Sequence, residues 1–128
     1  MSRRILLTAA AIFHGALGLA ALSVPMLTVA AFGSPLEPGA EPIVRLLGAT
    51  LVGLAAGFWL VRNAAYDAEV RALLVAGLVI NALSVMVVAF AIVGGQMEAR
   101  TWITAAVRLL FAAGFAYHLL AARRPASA

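Results

Sequence analysis

Residues 70–93 read VRALLVAGLVINALSVMVVAFAIV, a run of 24 residues whose polar members are Arg71 at its start and Asn81 and Ser84 in its interior. A run this apolar suits the interior of a bilayer. At about 1.5 Å per residue it is long enough to cross the roughly 30 Å hydrocarbon core of a bilayer. Inside lipid a segment must satisfy its own backbone groups, so it is expected to be helical. Three further runs have the same character, from about Ile5 to Val24, Ile43 to Val61 and Thr101 to Ala122. Arg3 and Arg4 precede the first, Arg62 follows the second, Gly94-Gly95 closes the third and Arg123-Arg124-Pro125 stops the fourth.

The rest of the chain agrees. Of its 128 residues 65% are hydrophobic and 11% charged, with a mean hydropathy of +1.07. A soluble domain carries about 25% charged residues, and one this small exposes a large share of its surface. Five acids and nine arginines, with no lysine, cannot cover that surface. A soluble enzyme and a disordered tail are therefore excluded. The expected fold is all-α, a single integral-membrane four-helix bundle spanning residues 1–128. The absence of cysteine excludes disulfides, thiol redox chemistry, Cys-ligated zinc and iron–sulfur clusters. The net charge of +4 comes from arginines placed singly and in pairs at the ends of apolar runs. That is a topology signal, not the basic stripe of a nucleic-acid interface.

Arg3, Arg4, Arg62, Arg71, Arg123 and Arg124 fall on one side of the four spans, against Arg45 and Arg100 with Glu37, Glu41 and Glu98 on the other. The imbalance predicts both termini in the cytoplasm, in a bacterial inner membrane. The first span starts like a secretory signal, and Val29-Ala-Ala-Phe32 has a faint cleavage-like character. Its length and the central His14 favour an uncleaved helix. The short link Arg62–Glu69 predicts an antiparallel pairing of the second and third helices. Between the first and second, Pro25 to Gly33 stays apolar and Ser34 to Gly39 has turn chemistry, which predicts an interfacial segment followed by a loop. Pro42 suits the first turn of a helix, and Thr101 an N-cap.

Polar groups within the spans are costly and are the first place to seek a function. His14 and Asn81 lie mid-span, Arg108 a third of the way into the last helix, His118 near its end, and Arg45 just inside the second. These five are the candidate ligand-binding residues. Each also has a structural reading. Glu41 and Arg45 are spaced for a local ion pair. Arg108 is expected to snorkel, or to pair with Glu98 or Glu37, and Asn81 to hydrogen-bond across helices. His14 and His118, on antiparallel helices, would be the two ligands of a bundle haem, although they carry no local motif such as CxxCH. Small residues mark the packing faces: Arg45, Ala49, Gly53 and Gly57 at i+4 steps, Gly15 and Gly18 beside His14, and Gly77 in line with Asn81 and Ser84. No catalytic set is visible: no intramembrane carboxylate, no cysteine nucleophile, no phosphate-cradling loop, and nothing to orient Ser84 with a histidine. His14 is the sole group that a proton-coupled carrier would use.

The pattern Gly15-Ala-Leu-Gly18, Pro25 and Phe32-Gly33, followed by Arg45-Leu-Leu-Gly48 opening a Gly/Ala-rich helix, resembles small four-helix bacterial membrane proteins of the DoxX-like group. The resemblance covers nearly the whole chain. It implies a helical bundle serving as an accessory membrane subunit of an oxidoreductase, and it transfers no catalytic residue. The leading expectation is thus a non-catalytic accessory or scaffold protein, packing by small-residue faces in a homo-oligomer or a larger membrane complex. The alternative is a binder of a small hydrophobic ligand (quinone, lipid or haem) through His14, His118, Arg45 and Arg108.

Overall fold

The computed structural model describes residues 1–33, 37 and 39–122. Ser34, Pro35, Leu36 and Pro38 of the expected loop, and Arg123 and Arg124 of the charge count, lie outside the described residues. Five helices follow in order: α1 (Arg3–Ser23), α2 (Pro25–Ala31), α3 (Glu41–Val61), α4 (Ala68–Val93) and α5 (Trp102–Ala121), the last preceded by a 3₁₀ turn over Ala99–Thr101. No strand occurs among the described residues. Four helices, α1, α3, α4 and α5 with its leading turn, are long and apolar enough to cross a membrane.

Local chemistry sets their ends. Ser2 caps α1 by accepting from the Ile5 amide. Pro25 disfavours the helical region for the residue before it, and Val24 accordingly sits at φ −134°, ψ 62°, which separates α1 from α2. The expected interfacial segment is thus itself a short helix with proline in its first turn. Pro42 occupies the first turn of α3, as expected. Asp67 caps α4, its carboxylate accepting from the Val70 amide at 2.9 Å. Gly95, at φ +71°, turns the chain out of α4. Thr101 corrects an expectation. Its backbone is already helical and its side chain caps nothing.

The helices associate as two antiparallel pairs, α1 along α3 and α4 along α5. The expected pairing of the helices joined by Arg62–Glu69 is not the main one, since α3 and α4 meet chiefly near their link, where Gly57 lies against Leu73. A short link ties two ends together, but close flanks require matching small residues. Those lie between α1 and α3: a Cβ added at Gly18 would stand 2.7 Å from the Gly48 carbonyl oxygen, and one at Gly48 the same distance from the Gly18 carbonyl. Gly15 adds an ordinary contact with Ala55. On the other pair, Gly77 accommodates the Phe115 ring. Between apolar helices in lipid, such close approach supplies the association.

The stripe of Arg45, Ala49 and Gly53 does not face the bundle. All three are exposed, and a Cβ at Gly53 would meet nothing within 4 Å. The buried face of α3 is Gly48, Leu51, Ala55 and Phe58. Because α3 is apolar all round, its periodicity could not choose between two small-residue stripes.

At the end that carries the chain's N-terminus and the Arg62–Asp67 turn, the pairs meet in a core of Leu6, Leu7, Phe58, Val70, Leu74 and Phe115. Phe58 and Phe115 stack at 5.4 Å. Arg3 fastens this end, donating to the Ala64 carbonyl and lying 5.6 Å from the Tyr66 ring. The outer faces carry Ile12, Leu46, Leu60, Phe90 and Leu110, all exposed, a surface suited to hydrocarbon.

Candidate functional site

Beyond the aromatic core, toward the end that carries α2, the two helix pairs diverge and enclose a cleft of about 410 Å³. Leu17 and Leu51 line it from one pair, Ile80, Ser84 and Arg108 from the other, and Thr28 and Phe32 from the α2 segment. That segment is strapped to the start of α5. The Thr101 hydroxyl donates to the Phe32 carbonyl at 2.9 Å, and Arg100 reaches the Ala30 carbonyl at 3.4 Å while pairing with Glu98 at 2.8 Å. Gly33 makes the strap possible. It turns at φ +73°, and a Cβ there would collide with the Glu98 side chain. The cleft opens on its flank, between α3 and α4, where the rim residues Leu47, Leu83 and Val87 are more than half exposed.

Arg108 is the one charged group in the wall. It is 8% exposed, and its Nη1 donates to Ser84 Oγ at 3.2 Å. Ser84 directs its own proton to the Ile80 carbonyl at 2.6 Å, which leaves its lone pairs to the guanidinium. The guanidinium carbon lies 5.7 Å from the Phe13 ring, within cation–π range. Neither expected partner is there. Glu98 pairs with Arg100, and among the described residues no carboxylate comes within ion-pair distance of Arg108. Nor does Arg108 snorkel to an exposed end. The small inward faces of α4 and α5 bring it against Ser84 and hold it inside.

The other candidates are not in the cleft wall. His14 is fully buried among Phe13, Phe58 and Phe111, with ring centroids 5.3, 5.7 and 6.0 Å away. Its Nδ1 lies 2.8 Å from the Ala10 carbonyl, an acceptor, so Nδ1 carries the proton and Nε2 is left as a buried acceptor without a partner. Asn81 does not bond across helices as expected. Its Nδ2 donates to the Gly77 carbonyl of its own helix at 2.8 Å, and its Oδ1 is buried without a partner. His118 lies beside the Met1 backbone at the terminal end. Phe111, which touches His14, is two turns away along α5, about 10 Å. The two histidines are therefore not brought to one iron. Arg45 pairs with Glu41 at 3.8 Å, as its spacing suggested, and donates to the Leu22 carbonyl, tying the end of α1 to the start of α3. No group of three metal-ligating side chains occurs among the described residues.

Of the five candidate binding residues, then, Arg108 alone lines the cleft. Sequence reasoning passed over Ser84 as a ligand contact, although its spacing from Gly77 and Asn81 placed it on the inward face. It also passed over the α2 residues, whose role depends on a strap between distant segments. No protein-family model, curated protein or solved structure matches this chain.

Proposed function

We propose that this chain is a polytopic membrane protein, with both termini in the cytoplasm of a bacterium, that holds a small hydrophobic or amphiphilic molecule between its helix pairs. One observation carries this reading: an apolar cleft of about 410 Å³, open on the flank and containing a single buried cation. Small-molecule sites typically measure about 300–1,000 Å³, with apolar walls and a few fixed polar groups. An ionisable side chain held inside a span marks a functional site by default. The reading is of binding without catalysis, because the hydroxyl nearest the charge, Ser84, has a guanidinium beside it and not a base.

Native mass spectrometry of protein extracted gently from its membrane tests this. A discrete small-molecule adduct is expected, lost when Leu83→Trp narrows the mouth of the cleft and kept when Leu60→Trp changes a side chain away from it. Protein that carries no adduct in any of the three forms would refute the binding role.

A second reading has its own support. Ala49 and Gly53 are exposed on one face of α3, a Cβ at Gly53 would meet nothing within 4 Å, and small residues at this spacing let another helix approach closely. That face suits an accessory subunit docking on a partner or on a second copy, as the DoxX-like resemblance implies. Gly53→Leu is then expected to reduce the particle size in detergent while leaving the monomer folded; an unchanged size would make this face lipid-facing.

A further inference from the structure

We infer that the cleft recognises the carboxylate of a single-chain amphiphile, an ionised long-chain fatty acid, with the Arg108 guanidinium as its counter-ion. This rests on the binding role proposed above and names the ligand class for the same cleft.

The cleft holds an imbalance of charge. Arginine stays protonated under all ordinary conditions, and a cation in a low-dielectric site is unfavourable until an anion joins it. The chain's five acids are all placed elsewhere. Glu41 pairs with Arg45, Glu98 pairs with Arg100 and Asp67 caps α4, while Glu37 and Glu69 are exposed outside the cleft wall. The cleft thus contains one positive charge that no described residue neutralises. The guanidinium has five N–H donors, and one is directed at Ser84. Its planar fork matches the two oxygens of a carboxylate. Ser84 fixes the fork: with its proton committed to Ile80, the hydroxyl accepts from Arg108 and anchors one arm.

Charge counting also selects among anions. A carboxylate brings one negative charge to one cation. A phosphate monoester brings about −1.5 to −2 at neutral pH, and the wall offers no second cation to meet it. Alcohols, esters and other neutral heads leave the guanidinium uncompensated. The walls select the tail. Apart from Arg108 and Ser84, their polar side chains are Thr28 and Thr104, and the rest is apolar. A volume of about 410 Å³ lies near the small end for ligand sites, which suits one chain better than two. The exposed rim between α3 and α4 lets that chain run out beside Leu47 and Val87.

The test is a titration of delipidated full-length protein in micelles with four probes of equal chain length: hexadecanoate, hexadecanol, methyl hexadecanoate and hexadecyl phosphate. Hexadecanoate is expected to bind at least about tenfold more tightly than the alcohol or the ester, as a charge-assisted hydrogen bond implies. Arg108→Gln should abolish that preference, and Arg108→Lys should keep it at reduced affinity, with unliganded melting curves confirming that both variants fold. The wild-type series decides even where a variant fails to fold. Equal binding of acid, alcohol and ester would overturn the carboxylate assignment while leaving the cleft a binding site. Tighter binding of the phosphate would overturn it through the charge count. Binding of none of the four, with Leu83→Trp indistinguishable from wild type, would remove the ligand class and the binding role together.

Discussion

A methyl group added to Gly18 would lie 2.7 Å from the Gly48 carbonyl oxygen, whereas one added to Gly53 would touch nothing within 4 Å. Gly18→Ala is therefore expected to lower stability by about 1–3 kcal/mol through overpacking. Gly53→Ala should leave it unchanged or raise it by up to about 1 kcal/mol through helix propensity. Thermal unfolding in detergent separates the two. Asn81 supplies a sharper case. Its amide bonds to a carbonyl already engaged in the α4 ladder, and its oxygen has no partner. An unsatisfied buried polar group costs about 1–3 kcal/mol, so Asn81→Leu, of similar volume, should hold or raise the melting temperature. A marked fall would mean that the oxygen has a partner the fold does not reveal. That His14 and Asn81 turn inward was legible from the sequence, because a polar group at mid-span has nowhere else to go, whereas Arg108, nearer a helix end, read as free to snorkel or to pair with Glu98 or Glu37. Their partners were not, since helical spacing assigns a face and leaves open which neighbour meets it.

At the scale of elements, the breaks were easier to read than the ties. Pro25 ends a helix by restricting the backbone before it and Gly95 by its freedom to turn at positive φ, and both act where the sequence places them. The strap from Phe32 to Thr101 joins residues 69 positions apart, and nothing local announces it. Thr101 was expected to cap a helix, but the chain is already coiled into a 3₁₀ turn from Ala99. That frees its hydroxyl for the α2 segment. Thr101→Val removes that bond, worth about 1 kcal/mol. Hydrogen exchange should then rise over residues 25–33 and stay unchanged in the middle of α4. Protection that is equal in both forms would assign the ordering of α2 to the remaining contacts, Arg100 to Ala30 among them.

For the whole molecule, the number and ends of the long helices were legible to within two residues, since bilayer thickness dictates length and composition. Their pairing was not. It depends on Gly18 meeting Gly48 and on Gly77 meeting Phe115, and four helices that are apolar all round offer many such faces. If all four long helices cross the bilayer, Ser2 and Asn63 lie on one side of it and Gln96 on the other. The chain has no cysteine of its own, so Ser2→Cys, Asn63→Cys and Gln96→Cys each report a single position. In sealed vesicles, an impermeant thiol reagent should treat the first two alike and the third oppositely. Agreement of all three would rule out four crossings.

The flank opening between α3 and α4 changes what competes for the cleft. A pocket that faces water gains when an apolar tail leaves the solvent, but here the solvent would be the acyl chains of the bilayer. Swapping one hydrocarbon neighbour for another yields little, and every surrounding lipid is a rival for the same walls at enormous excess. Occupancy would then follow the mole fraction of ligand within the membrane, not its aqueous concentration. Discrimination would fall on the few atoms at the head, where lipid tails have nothing to offer the arginine.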